Sequence, residues 1–354
     1  MKKILFLLLS ISIIIFPKYV YGSTSSATSY VLLDQDTNRV LLSKNKDTPL
    51  LIASITKIMT CIIAIENKNI SDLVVVDESI KESYGSGIYI SVGEEITLKD
   101  LLYGLMLRSG NDAAIMISTY VAGTTDSFVD LMNQKAKEIG MKNTTFHNPS
   151  GLDNNTIGNI STAYDMAILT SYAMQNKIYR EIVKTKKYTA KTNLKTYIWH
   201  NKNKLLQYDY ITGGKTGYTE KAKRTLVSTA SKNNLNLIAV TLKDSDDWNT
   251  HKSLYEYAFN NYKSYNILNK KTFSIPKDKY YDYLYIKNDV SIILNNNETK
   301  NIISHIKLEK KKHYKNNEKV GTSYIYVGEK LVHKEDIYAK KIKKKTSIFK
   351  SLFK

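Results

Sequence analysis

The chain has 354 residues, with 52 lysines and arginines against 33 acids, six histidines and one cysteine. The formal charge of +19 admits a nucleic-acid partner, but no nucleic-acid motif accompanies it, and abundant Lys, Asn, Ile and Tyr together read as drift of an AT-rich genome. A lone cysteine, Cys61, excludes an internal disulfide and reads as a small core residue, and the scattered histidines imply no metal and no cofactor.

In chain order, residues 1–22 join a positive start (Met1-Lys-Lys), an apolar run to Phe16 and small residues at Gly22, the pattern of a secretory leader cleaved after Gly22. The apolar run is short for a membrane span. Ser29 to Leu42 predicts a hairpin turning at Asp36-Thr-Asn38. Ser54 opens a stretch in which Ile58, Met59, Ile62 and Ile65 recur at helical spacing. Thr97 and Asp100 form an S/T-x-x-D/E box before a helix over Leu101 to Leu107. Asn148-Pro149 and Gly151 read as turn formers, and Asn148, Ser161 and Asp165 as scaffold. Thr225 to Ser231 and Leu235 to Leu242 predict strands joined at Asn233-Asn234, and Trp248 to Tyr262 a helix. From Ser264 to Tyr338 the texture turns strand-like, over Val290–Leu294, Ile302–Leu308, Thr322–Val327 and Lys330–Val332. The tail, Ala339 to Lys354, has seven lysines and no acid. Its Ile342, Phe349, Leu352 and Phe353 share one side of a helical wheel, the pattern of an interfacial membrane helix.

Three motifs carry chemistry: Ser54-Ile-Thr-Lys57, Ser109-Gly-Asn111 and Lys215-Thr-Gly217. A hydroxyl needs a neighbouring base to act as a nucleophile. On a helix, Lys57 shares a face with Ser54, and a buried ammonium near other cations gives up its proton more easily. Lys215 and Thr216 lie where an edge strand is expected, with Gly217 letting a substrate backbone come close. This ordered set resembles that of penicillin-binding proteins and class A β-lactamases, in which the middle motif is written S-D-N.

With their flanks (Ala53 to Thr60, Leu107 to Ala114, Asn148 to Leu152, Ser161 to Asp165, Gly214 to Thr219), these segments resemble the low-molecular-mass penicillin-binding proteins of the serine D-alanyl-D-alanine carboxypeptidase family. The likeness runs from about Ser29 to Tyr262. It implies an α/β (α+β) domain, an antiparallel sheet packed on helices with a helical lobe, followed here by a small all-β domain. It implies Ser54 as the acylated nucleophile, Lys57 as its base, and Ser109 and Asn111 as proton relay and amide binders. Lys215 and Thr216 would grip the terminal carboxylate, beside Gly217, and the N–H groups of Ser54 and Tyr218 would form the oxyanion hole. Some family members place an arginine after the last core strand. This chain reads Lys243-Asp-Ser-Asp-Asp-Trp-Asn249 there, leaving Lys243, His251, or Thr216 with Lys215 alone to take that part. Trp199 to Leu206 also resembles a family segment, its asparagines fixing a loop and His200 ligating nothing.

The expected organisation is a leader (1–22), a carboxypeptidase domain (23–262), a small β domain (264–338) and a basic amphipathic tail (339–354). The expected partners are peptidoglycan stem peptides ending in D-Ala-D-Ala, β-lactams as covalent inhibitors and, through the tail, an anionic membrane surface outside the cell, with no nucleic acid. Three alternatives stand beside the carboxypeptidase. A class A-like β-lactamase needs a deacylating glutamate, and between Asn111 and Lys215 the glutamates are Glu138 and Glu181, neither in the E-x-x-x-N pattern. A D,D-endopeptidase would cut a similar bond. A non-catalytic wall-binding protein would not need the intact motifs.

Overall fold

The computed structural model describes residues 25–153, 158–275 and 280–342. The leader and the tail beyond Ile342 lie outside these residues.

The N-terminal hairpin forms as β1 (Ser29–Asp34) and β2 (Val40–Lys44), its turn closed by Asn38 in the left-handed region that asparagine tolerates. The chain then makes α1 (Lys57–Asn67), α2 (Leu98–Tyr103), α3 (Asn111–Ala122), α4 (Thr125–Glu138), α5 (Ala163–Ala173) and α6 (Lys177–Lys184). A second hairpin, β3 (Lys187–Lys191) and β4 (Thr196–His200), precedes the long strands β5 (Ile211–Thr219), β6 (Lys223–Lys232) and β7 (Leu235–Leu242), and α7 (Asp247–Asn261) follows.

A five-stranded antiparallel sheet has the order β2-β1-β7-β6-β5. Its centre joins distant parts of the chain, Ser29 facing Leu242 and Asp34 facing Leu237. Strand alternation sends Val31, Leu33, Val227, Ile238 and Val240 into a core with α1 and α5, and Leu32, Leu226, Leu237 and Ala239 into a second core with Leu254, Tyr255 and Ala258 of α7. The sheet is thus covered on both faces, and β5 and β2 are its two edges. Residues Lys57 to Ala64 of α1 are all buried, as an apolar-all-round helix must be.

Thr97 caps α2 as the box predicts: its hydroxyl accepts from the Asp100 N–H at 3.0 Å and donates to the Asp100 carboxylate at 2.6 Å. The helix begins earlier than expected, at Leu98, and it does not run straight to Leu107. Gly104–Arg108 widens into a π turn whose Ser109 N–H reaches back to the Gly104 carbonyl, and Ser109 itself is left-handed at φ +65°. Gly104 permits this: a Cβ there would lie 2.7 Å from Ile88 and 3.3 Å from Trp199. Such turns are rare and often functional.

Helix α7 ends at Asn261. Tyr262, read from the sequence as its last residue, opens a strand while still packing in the α7 core, which is why its spacing looked helical. An all-β domain follows: β8 (Tyr262–Leu268), β9 (Tyr283–Ile286), β10 (Val290–Asn295), β11 (Ile302–Leu308), β12 (Glu318–Val327) and β13 (Lys330–Lys340). They form a β8-β10 pair and a β9-β13-β12-β11 sheet. Strand β13 takes in Ala339 and Lys340, so the basic segment starts after it. Arg39, at the β1–β2 turn, binds the β domain through the Ile293 carbonyl and Glu298. Among the described residues no helix is long and apolar enough to cross a membrane.

Candidate active site

Ser54 sits in a single 3₁₀ turn, Ala53–Thr56, that feeds directly into α1 at Lys57. The turn is strained: Ala53 has φ +48°, a conformation that costs an L-residue about 1–2 kcal/mol. Gly151 packs so tightly against it that a side chain there would collide with the Ala53 carbonyl. Three residues on, Lys57 is wholly buried. Its Nζ lies 3.0 Å from Ser54 Oγ, 2.8 Å from Asn111 Oδ1 and 2.5 Å from the Ser150 carbonyl.

The other motifs close around this pair. Asn111 begins α3 and donates its Nδ2 to the Tyr84 carbonyl at 2.5 Å. Asp112 accepts from the Ile88 and Tyr89 N–H groups, tying the 84–89 loop to the site. Lys215 on β5 donates to Ser109 Oγ at 3.0 Å and to the Thr216 carbonyl at 2.6 Å. Gly217 brings the edge strand against the nucleophile turn: a Cβ there would stand 2.9 Å from the Ser54 nitrogen and 3.1 Å from the Ile55 nitrogen. Tyr218 follows, 61% exposed at the mouth.

Burial is the main force on both lysines. It pushes the Lys57 pKa well below its ordinary value, helped by the charges of Lys215 and Lys202 and opposed by Asp112. It brings Lys215 down to about 7, again with help from Lys202. Lys57 is therefore suited to accept a proton, whereas Lys215 retains part of its charge at neutral pH.

Two groups of site residues escaped the sequence reading. Lys202, whose Nζ donates to Ser86 Oγ at 3.3 Å, is a third cation felt by both motif lysines. The Ser150 carbonyl, a direct partner of Lys57, is held by asparagines: Asn148 Oδ1 accepts from the Gly151 N–H at 2.7 Å, and Asn159 Nδ2 donates to the Asn148 carbonyl at 2.8 Å and to Thr56 at 2.9 Å. Asn148-Pro-Ser-Gly151 was the available signal, and it read as scaffold because its contribution is a backbone oxygen. Ser161 and Asp165 do act as scaffold, both on Thr144 at 2.7 and 2.8 Å. Asn203 fixes its loop through the Leu205 N–H and the Gly213 carbonyl.

A family profile described as D-alanyl-D-alanine carboxypeptidase matches residues 18–246. The chain belongs to the D-alanyl-D-alanine carboxypeptidase family. A second profile, penicillin-binding protein 5, C-terminal domain, matches residues 270–345. The chain is 36% identical over 249 residues to D-alanyl-D-alanine carboxypeptidase DacF of Bacillus subtilis, covering 68% of this chain and 64% of that relative. It is 34% identical over 238 residues to the D-alanyl-D-alanine carboxypeptidase of Streptomyces sp. strain K15, covering 62% of this chain and 81% of the relative. Among solved structures, a variant of the Streptomyces K15 DD-transpeptidase matches 67% of this chain and 99% of its own, with TM-score 0.64 and 32% identity. Penicillin binding protein 5 from Haemophilus influenzae shares the fold over 89% of this chain and 97% of its own, with TM-score 0.76 and 24% identity.

His251, one of the residues the sequence offered for binding the carboxylate, is fully buried between Ser228 at 2.6 Å and Thr241 at 3.1 Å. Burial drives its pKa down to about 3, so it is a neutral core group and not a carboxylate ligand. Lys243 is exposed at the end of β7, and β6 lies between that strand and β5.

Proposed function

We propose that the chain is a serine-type D-Ala-D-Ala carboxypeptidase that removes the terminal D-alanine from peptidoglycan stem peptides outside the cell. The observation that carries this is the buried, proton-poor Lys57 amine 3.0 Å from Ser54 Oγ. In this reading Ser54 Oγ attacks the carbonyl of the penultimate D-alanine and Lys57 takes its proton. The oxyanion meets the N–H groups of Ser54 and Tyr218, which the close approach of Gly217 to the Ser54 nitrogen favours. The C–N bond breaks, and Ser109 with Lys57 returns a proton to the departing D-alanine amine. Asn111 holds the substrate amide, and Lys215 with Thr216 holds the terminal carboxylate. Water then cleaves the Ser54 ester, regenerating the hydroxyl.

A β-lactam enters the same path and stops at the ester. Glu138 and Glu181, the glutamates a β-lactamase could call on, are exposed on α4 and α6 and pair with Lys135 at 3.0 Å and Lys177 at 3.9 Å. The leader pattern supports export, and the basic amphipathic tail supports attachment to an anionic membrane surface.

The test is incubation of the mature chain with fluorescent penicillin, followed by intact-mass and peptide mapping, and with a pentapeptide ending in D-Ala-D-Ala. The expected results are a long-lived adduct on Ser54, absent in Ser54→Ala, and release of one D-alanine. An adduct elsewhere, or none, overturns the assignment.

A further inference from the structure

We propose that Arg224 is the fixed cation that receives the substrate's terminal carboxylate, with Asp247 holding it in position. The proposal rests on the carboxypeptidase reading above and deepens it.

The sheet register places Arg224. On β6 it faces Tyr218 of β5, while Leu226 faces Thr216 and Val227 faces Lys215. Residues directly opposite in an antiparallel pair share a face, and alternate residues along a strand do too. Thr216, Tyr218 and Arg224 therefore lie on the α7 face, and Lys215 and Gly217 on the other. Arg224 is the diagonal neighbour of Thr216, a separation of roughly 7–8 Å that a long side chain spans. Strand β5 is an edge of the sheet, so a chain terminus lying along it arrives between Lys215 on one face and Arg224 on the other.

The guanidinium is anchored. Its Nη2 donates to Asp247 Oδ1 at 2.5 Å, and its centre lies 5.3 Å from the Trp248 ring. Both partners belong to the first turn of α7, whose later residues His251 and Tyr255 meet Ser228 of β6. The start of α7 is thus level with the Thr216–Tyr218 end of β5. Asp247 is buried, and it accounts for one of the five donors that an arginine carries. Arg224 Nε is buried with no hydrogen-bond partner among the described residues, a costly state for a donor, while the side chain as a whole is 40% exposed. A planar fork held by one carboxylate and partly exposed suits a second carboxylate. It supplies a permanent charge where Lys215, buried and close to other cations, cannot.

The test compares two N-acylated tripeptides ending in D-Ala-D-Ala, one with a free carboxylate and one as the C-terminal amide, by kcat/KM. Arg224→Gln alone strands the buried Asp247, so the main variant is R224Q/D247N, which removes both charges and keeps both shapes. Arg224→Lys keeps the charge and loses the fork. The carboxylate-over-amide preference of the wild type is expected to fall about ten- to a hundredfold in R224Q/D247N and by less in Arg224→Lys. Asp247→Asn, acting through position, should lower the same ratio. A ratio within twofold of wild type in both Arg224→Lys and the double variant overturns the assignment while leaving the carboxypeptidase intact. A wild-type chain that releases neither D-alanine from the free-carboxylate peptide nor D-alaninamide from the amide overturns the carboxypeptidase reading, and this proposal with it.

Discussion

At the scale of single residues the site is a contest between burial and charge. Lys57 and Lys215 are kept dry beside each other and within the field of Lys202, so neither holds its proton as a surface lysine would. Lys57→Ala should retain the fold and lose about 10²–10⁴-fold in β-lactam acylation rate, the usual worth of a general base; acylation at the wild-type rate would remove lysine from the mechanism. Lys202 adds to what burial does. Its charge lowers both motif lysines, so Lys202→Ala should raise both values and move the whole pH profile of acylation upward, weakening the reaction at low pH and extending it at high pH. A profile that stays in place would show that the field of Lys202 is screened. The same shifts bear on stability. Lys215 titrates near 7 folded against 10.5 ordinarily, so between those values the unfolded chain binds more protons. Its contribution to stability is therefore missing at low pH and grows as pH rises through that window. Lys215→Met should flatten this rise in chemical denaturation series run across it.

At the scale of elements, close backbone approach builds the site. The 3₁₀ turn before α1, the Pro149–Gly151 loop and the β5 edge meet with no room for side chains. Gly151 has φ +82° and faces the Ala53 carbonyl. Gly151→Ala should lower the melting temperature, with a cost of about 1–3 kcal/mol or more. Gly217→Ala should act differently, pressing a methyl on the buried Thr225 hydroxyl as well as on the Ser54 and Ile55 nitrogens, and so should slow acylation as well as destabilise. Melting curves beside acylation rates separate the two. The three motifs that the structure brings together, Ser54 with Lys57, Ser109 with Asn111, and Lys215 to Gly217 on β5, were legible in the sequence because they are side chains at fixed spacing. The hairpin β1–β2, the strands β6 and β7 and most of the β domain were legible through period-two alternation. The π turn at Gly104–Arg108 was not, because its cause is the contact of Gly104 with Ile88 and Trp199, remote in sequence. Arg224 was hidden for a similar reason: only the β5–β6 register reveals that it shares a face with Thr216. Lys202 looked like one more lysine in a lysine-rich chain.

At the scale of the whole molecule, two units share one contact network, with Arg39 reaching from the β1–β2 turn to Ile293 and Glu298 while only 9% exposed. Arg39→Met should remove the cation that faces Glu298 and a donor to the Ile293 carbonyl, lower stability by about 1–3 kcal/mol and separate the calorimetric transitions of the two domains, with β-lactam acylation unchanged. The tail belongs to this scale as well: a chain ending at Ile342 should keep its activity on a soluble peptide and no longer sediment with anionic vesicles, and equal sedimentation would place attachment elsewhere. The sheet also imposes a timetable. Strand β1 spans Ser29–Asp34, and its inner partner β7 spans Leu235–Leu242, so the central ladder waits for about two hundred further residues to be made. Closing so large a loop precedes the contacts that reward it, which makes folding slow and of high contact order. A chain still being synthesised, or threaded end-first through a pore, cannot complete this sheet. The architecture that positions Ser54 therefore also keeps the polypeptide passable until nearly all of the first domain has emerged.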